Sequence, residues 1–343
     1  MTHQIKIDGS EIAFSCEHGE TVLDAAARNG IELPYSCRKG VCGNCRGVVL
    51  EGQLVPGTAG GSAEAGIHAD NEHLFCHAQA ASDLLIRPRS WQRVDPHARK
   101  IFPAKIFRII QPASDVTVLQ LRFAAGQRAK FQAGQYLQVI LPDGQRRSFS
   151  MANAPHESDG VQLHIRHVPG GHFSKGVLPG LKAGDLLQLE LPHGDFWLRE
   201  DGERPLILVA GGTGFAPIKS IIDHMVRRKI SRPLALYWGS RQVEGLYAPE
   251  VIGKWQQVLP KLRYVPVVSD APAGTWPGRT GLVHEAVLAD HVDLSSHDIY
   301  ACGAPAMVAA LRRVCVEQAG LPDDRFFCDA FVSHAPRNVA EKI

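Results

Sequence analysis

No apolar run in this 343-residue chain approaches the roughly 18 residues that a membrane-spanning helix needs. The opening stretch MTHQIKIDGSEIAF lacks the basic-then-apolar pattern of a secretory signal. No membrane role is therefore expected, and the expected location is the cytoplasm. There is no internal repeat and no low-complexity tract, which sets aside solenoids and disordered linkers. Nor is there a dense basic stripe, the usual footprint of a nucleic-acid binder, and the formal net charge is only +2. What charge there is lies unevenly. Residues 1–90 hold seven Lys and Arg against eleven Asp and Glu, a balance of −4, so the remainder carries +6. An acidic leading unit on a basic body suits docking between proteins better than binding to nucleic acid.

With 45% hydrophobic and 21% charged residues, the composition is that of an ordinary globular protein, and the length suits about two or three domains. Eight cysteines in a reducing compartment are not expected to form a disulfide framework. Cys16, Cys302, Cys315 and Cys328 are scattered, and a lone cysteine is most often a small buried hydrophobe. The other four are not scattered.

Those four are Cys37, Cys42 and Cys45 in SCRKGVCGNC, and Cys76 in LFCHAQ. The spacing Cys-x4-Cys-x2-Cys with a distant fourth Cys is the plant-type pattern for a 2Fe–2S cluster. Four thiolates must converge on two irons that already share sulfide, so three of them come from one tight loop. Gly40 and Gly43 permit the backbone turns that aim amide N–H groups at sulfur. Structural zinc is the rival reading, but zinc ribbons present paired Cys-x2-Cys knuckles and only one such pair exists here. Four merely buried cysteines are the blander alternative. Arg38, Lys39 and Arg46 flank the ligands, and together they suggest a docking partner with acidic groups.

Around this loop the chain falls into three stretches. In residues 1–93, QIKIDGSEIAF reads as two strands about an Asp-Gly turn, ETVLDAAARNG as a helix with a Gly stop, and RGVVLEGQ and DLLIRPR as further strands. SWQRVDPHARKIFP reads as a polar linker. Residues 101–200 carry VTVLQLRF, GQYLQVILPDG, GVQLHIRHV and DLLQLELPHG, short β-like runs between turns that suggest an antiparallel barrel. Residues 201–343 alternate strand and helix: PLILVAGGTG, APIKSIIDHMVRR, PLALYWGS, LRYVPVVSD, DIYACGA and AMVAALRRVCVEQAG. That alternation predicts a parallel, doubly wound sheet. The fold class expected is multidomain α+β: a β-grasp ferredoxin-like unit, an antiparallel barrel and a doubly wound α/β unit.

In GQRRSFSMANAP, Arg147 and Phe149 share one strand face while Ser148 and Ser150 point the other way. A guanidinium suits a pyrophosphate, although an Arg on a barrel strand is more often simply solvated. HIRHVPGGHFSKGV adds a glycine turn and Ser174, and its His164, His167 and His172 are expected to be solvated rather than metal-bound. VAGGTGFAPIKS joins a buried strand to a glycine turn and a helix N-terminus, the arrangement of a phosphate site.

Taken in this order, CRKGVCGNC with its distant Cys, RSFS, GGTGFAP, YACG and FFCDAF resemble the ferredoxin–NAD(P)H reductase superfamily, in the branch with an N-terminal plant-type ferredoxin domain. Within that branch GQRRSFSMANAP, GGTGFAPIKS, YVPVVSD, TGLVHEAVL and FFCDAFV are similar to reductases that serve CDP-6-deoxyhexulose 3-dehydrases. The resemblance implies FAD, a 2Fe–2S cluster and NADH or NADPH as cofactors. It also implies a protein electron acceptor, either a dehydrase or the oxygenase component of a ring-hydroxylating dioxygenase or diiron monooxygenase. By similarity Arg147 binds the FAD pyrophosphate with help from Ser174, and Ser150 lies near flavin N5. Phe149 replaces the family's usual Tyr. Gly211, Gly212, Thr213, Gly214 and Pro217 hold the dinucleotide phosphates, and Cys302 and Gly303 close over the nicotinamide. The family's Tyr-x-Glu-x-aromatic ending appears as Phe327, Asp329 and Phe331, with Phe331 either covering the flavin face or packing in the core.

The implied path runs from NAD(P)H as hydride to flavin, then singly through the cluster to the acceptor. Plant-type clusters sit near about −400 mV, low for a nicotinamide-driven chain, so loop amides are expected to raise this one. Ser240 and Arg241 stand where a 2′-phosphate would be met, which leaves NADH against NADPH open. A self-sufficient reductase of small acceptors is a further possibility. A binding module with zinc or a nucleotide sensor is the alternative from a different class.

Overall fold

The computed structural model describes residues 2–55, 71–95, 99–272 and 274–332. The leading unit begins with β1 (His3–Ile7) and β2 (Ala13–Cys16), a hairpin turning at Gly9, whose φ is +68°. Helix α1 (Val22–Arg28) starts at Thr21, whose hydroxyl accepts from the Asp24 amide at 3.1 Å, and it buries Val22, Leu23, Ala25 and Ala26. Then come β3 (Ile31–Glu32), β4 (Arg46–Glu51), β5 (Glu72–Leu74), β6 (Leu84–Pro88) and β7 (Gln92–Arg93). The sheet order is β2-β1-β6-β4-β5, with β1 and β6 parallel and the other pairs antiparallel. This is the β-grasp that the sequence predicts.

The stretch expected to be linker is more structured than its composition suggests. Its β7 pairs with β3, and β8 (Lys100–Ala113) begins inside it and runs fourteen residues. Residues 96–98 lie outside the described part. The β8 sequence does alternate, burying Phe102, Ala104 and Ile106. Pro103 stands between the first two and masks the pattern.

With β9 (Val116–Phe123), β10 (Tyr136–Ile140), β11 (Arg146–Ser150), β12 (Gly160–Arg166) and β13 (Leu186–His193), β8 forms an antiparallel sheet ordered β11-β10-β13-β8-β9-β12. A bridge from Met151 to Leu163 brings the two edge strands together and closes the barrel. Leu119, Leu137, Val139, Leu163 and Leu189 fill the interior.

The third unit is β14 (Leu206–Gly211), α2 (Phe215–Arg228), β15 (Leu234–Ser240), α3 (Pro249–Val258), β16 (Leu262–Val268), β17 (Arg279–Thr280), α4 (Val283–Asp290), β18 (Asp298–Gly303), α5 (Pro305–Arg313) and β19 (Phe326–Ala330). Its six strands are all parallel, in the order β17-β16-β15-β14-β18-β19. Strand order reverses between β14 and β18, so Gly211 and Gly303 end their strands at the usual ligand position in such sheets. Among the described residues no helix is long and apolar enough to cross a membrane.

Candidate redox site

The cysteine loop runs from β3 into β4, and Cys76 follows β5. Its turns use the left-handed region three times, at Arg38 (φ +51°), Gly40 (+73°) and Gly43 (+74°). The thiols gather two by two. The sulfurs of Cys45 and Cys76 lie 3.1 Å apart, and Cys37 hydrogen-bonds Cys42. The Cys45–Cys76 contact, with burial, holds the proton on Cys45, and the same contact lets Cys76 ionise more readily. The Lys39 amide donates to the Cys37 sulfur at 3.4 Å; Val41 also donates to Cys37, and Gly40 to Cys76. Among the described residues, no three His, Cys, Asp or Glu side chains gather at a point fit for one metal ion. A mononuclear zinc would need four ligands about a single centre. Two thiol pairs beside converging amides instead fit two irons joined by sulfide.

Of the three flanking cations, only Lys39 is exposed. Arg38 pairs with Asp24 and lies 5.2 Å over the Tyr35 ring. Arg46 turns inward, corrects the docking expectation for that residue, and reaches Glu72 at 3.5 Å with only 12% of its side chain exposed.

The loop abuts the last strand of the third unit. Ser36 donates to one carboxylate oxygen of Asp329, and Ser150 of the barrel donates to the other at 3.5 Å. Asp329 thus joins all three units, and burial pushes its carboxyl up to about 6 against the pull of both hydroxyls. Cys302 lies opposite Asp329 in the β18–β19 register. It is fully buried, and that burial pushes its thiol well up. Phe327, Asp329 and Phe331 alternate along one side of the chain, and the Phe331 amide donates to the Gly303 carbonyl at 2.8 Å. Phe331 is half-buried against the core that contains Cys302.

On β11, Arg147 is half-exposed and its guanidinium reaches Gln145 at 2.5 Å. Phe149 packs on Phe173, with ring centres 4.9 Å apart. Ser150 is buried and pairs in register with Tyr136. Ser174 is buried, and its hydroxyl accepts from the Val168 amide at 3.0 Å, so it pins the glycine turn.

The nucleotide turn follows β14 as one tight helical turn, Gly212–Gly214, with Gly212 at φ +54° and Thr213 and Pro217 buried. A Cβ on Gly211 would meet the Met307 sulfur at 2.5 Å, and one on Gly214 the Cys302 carbonyl oxygen at 2.1 Å. Gly303, at φ +150°, lies against Gly211. Close approach of the β14 and β18 ends requires glycine here. Sequence reading missed Arg166, whose guanidinium lies 3.2 Å from where a Gly212 Cβ would be and so adds a cation at this turn. It missed Ser36 as well, which carries no motif.

The three histidines have separate partners, and the expectation of solvation fails for His164. It is buried, 2.9 Å from the Tyr247 hydroxyl, and burial lowers its pKa to about 3. His167 hydrogen-bonds Thr117 at 2.8 Å, and His172 lies 3.7 Å from Asp143.

Known families match each unit in turn. The 2Fe-2S iron-sulfur cluster binding domain matches residues 5–81, the oxidoreductase FAD-binding domain residues 103–197, and the oxidoreductase NAD-binding domain residues 208–313. The chain belongs to the iron–sulfur flavoprotein reductases, NAD(P)H-dependent oxidoreductases that use FAD and a 2Fe–2S cluster. It is 47% identical over 97% of its length to reductase component 2 of terephthalate 1,2-dioxygenase from Comamonas sp, spanning 98% of that protein. It is 36% identical to the CDP-6-deoxy-L-threo-D-glycero-4-hexulose-3-dehydrase reductase of Yersinia pseudotuberculosis, over 97% of this chain and 99% of the relative. Among solved structures, the cytochrome P450 reductase GcoB of Amycolatopsis superposes with a TM-score of 0.74 at 32% identity, covering 96% of this chain and 98% of that one. The family named from the sequence motifs is therefore the family shown.

Proposed function

We propose that this chain is the NADH-dependent reductase component of an aromatic-ring dioxygenase and delivers electrons singly to a separate oxygenase protein. The observation that carries the acceptor choice is the 47% identity to a terephthalate dioxygenase reductase over nearly the full length of both chains. A 3-dehydrase of CDP-6-deoxyhexulose is the second reading, supported by the 36% relative. Mixing NADH and the purified reductase with each candidate acceptor tests the choice. Fast reduction of the dioxygenase component alone is expected, and fast reduction of the dehydrase alone overturns it. Eight free cysteines fit action in the reducing cytoplasm.

In this reading the units run 1–93, 101–200 and 201–343. Cys37 and Cys42 hold one iron, and Cys45 and Cys76 the other. Arg147 takes the FAD pyrophosphate, Phe149 packs by the cofactor, and Ser174 shapes the turn beneath it. When bound, the flavin accepts hydride from the nicotinamide and releases electrons one at a time toward the 2Fe–2S centre. Ser150 offers its hydroxyl at the hydride-receiving atom, and Asp329 orients that hydroxyl. Gly211, Gly212, Thr213, Gly214 and Pro217 shape the turn for the dinucleotide phosphates, Cys302 and Gly303 line the nicotinamide crevice, and Phe331 shields the flavin face.

Asp329 makes the site pH-dependent. Its ordinary value of 3.8 lies below the value of about 6 reached in the fold. The neutral carboxyl is thus favoured by folding, and the stability it contributes is fully present below about pH 3.8 and lost as pH rises through 6. A displacement of this size corresponds to roughly 3 kcal/mol. Denaturant midpoints measured at pH 4.5 and 7 should diverge less for Asp329→Asn than for the natural protein, and equal slopes would remove the titration from Asp329.

The nucleotide preference follows from Arg241. Its guanidinium is already 3.1 Å from Asp270, which Ser269 also bonds, so a 2′-phosphate arriving there meets a carboxylate. The kcat/KM for NADH is expected to exceed that for NADPH by about tenfold or more, with Asp270→Asn narrowing the gap. A preference for NADPH in the natural protein would refute this assignment.

A further inference from the structure

Strand β19 is an edge strand, and the Phe331 amide bonds inward to Gly303 on β18. Backbone groups alternate in direction along a strand, so Cys328 turns its carbonyl to the free edge. An unpaired edge carbonyl needs a partner, and here one side chain supplies it. The Asn44 amide nitrogen donates to the Cys328 carbonyl at 2.6 Å, and the Cys328 thiol donates back to the Asn44 amide oxygen at 3.0 Å. The same sulfur lies 3.4 Å from the Cys42 carbonyl oxygen. Both ends of the buried Asn44 amide are satisfied by one residue of another sheet, 284 positions away.

We propose that Asn44 and Cys328 form a latch that fixes the cysteine loop against β19 of the third unit, and that both are positioning residues for internal electron transfer. The proposal rests on the reading of Cys37, Cys42, Cys45 and Cys76 as cluster ligands. The latch grips one end of the loop between Gly43 and Cys45. At the other end Ser36 bonds Asp329, the residue next to Cys328, and Asp329 also holds Ser150. The dipeptide 328–329 therefore touches both ends of the loop and the flavin strand. Arg89 of the leading unit adds an ion pair to Asp323, just before β19, and Arg312 holds the other oxygen of that carboxylate. The latch takes up no electron or proton itself. NADH gives up a hydride, and its two electrons cross to the loop one by one through whatever gap the latch sets.

Asn44→Ala removes both bonds, whereas Cys328→Ser keeps a donor and the carbonyl. Anaerobic stopped-flow with NADH separates flavin bleaching from cluster bleaching in the holoprotein, a redox titration gives the cluster midpoint, and hydrogen exchange follows the amides of residues 326–330. In Asn44→Ala, flavin bleaching is expected at the natural rate, with cluster bleaching slower by about tenfold or more at an unchanged midpoint. Exchange at 326–330 is expected to quicken, and Cys328→Ser to keep natural behaviour. If Asn44→Ala does not retain its cluster, Cys328→Ala, which lies outside the loop and removes the thiol bond while the backbone carbonyl bond stays, decides by the same readouts with a smaller slowing of cluster bleaching. Cluster bleaching at the natural rate overturns the latch, as does a slowing that a lowered midpoint fully explains. Natural protein without acid-labile sulfide would instead overturn the ligand reading.

Discussion

A Cys45→Ser protein is expected to lose its acid-labile sulfide and the paramagnetic signal of the reduced protein, while NADH still reduces ferricyanide through the flavin. Cys45 is the more deeply buried member of the pair with Cys76, at 3.1 Å. Serine at that position offers a harder, less readily ionised ligand in a site whose burial already resists charge. Partners outside the first ring of metal ligands are worth about 10–100-fold, so losing a ligand should cut NADH-driven reduction of the protein acceptor by more than about a hundredfold. Cys315→Ser is the matched control. Cys315 is equally buried, but it lies after α5 in the hydrophobic core of the third unit, so its loss should cost stability and leave the sulfide content intact. A Cys45→Ser protein with full sulfide would show that the four thiols hold something else.

Gly214→Ala is expected to act on the opposite end of the electron path. The added methyl would lie 2.1 Å from the Cys302 carbonyl oxygen, 2.5 Å from its carbon and 3.0 Å from the Gly303 nitrogen. All three are backbone atoms, so no rotamer change relieves the overlap, and the ends of β14 and β18 must part by about 1 Å to reach ordinary contact. A misplacement of about 1 Å in a reacting geometry can cost about a hundredfold in rate. NADH-driven flavin bleaching should fall by that order, whereas dithionite should still reduce the cluster at the natural rate. Natural NADH kinetics in Gly214→Ala would show that the two strand ends do not form the nicotinamide crevice.

Much of this was legible in the chain itself because the governing patterns are local. Three of the four cluster cysteines fall within ten positions, and β9, β10, β12 and β13 advertise themselves as short β-prone runs between turns. The ligand end of the sheet followed from a parallel sheet whose glycine turn ends its first strand. What escaped depends on packing between units. His164 alternates with Val161, Leu163 and Ile165 and so should face water, but Tyr247 and Phe215 of the third unit cover it. Arg46 resembled a free docking charge until Glu72 paired with it across β4 and β5. Asp329 was legible as part of a family ending. Its partner Ser36, 293 positions earlier, was not, because no periodicity links residues so far apart.

The contact of Asn44 with β19 has a bearing on biogenesis. The loop's three cysteines are synthesised early, whereas the strand that covers one side of it emerges from the ribosome some 284 residues later. That side of the loop is therefore closed only once the last strand of the sheet is in place.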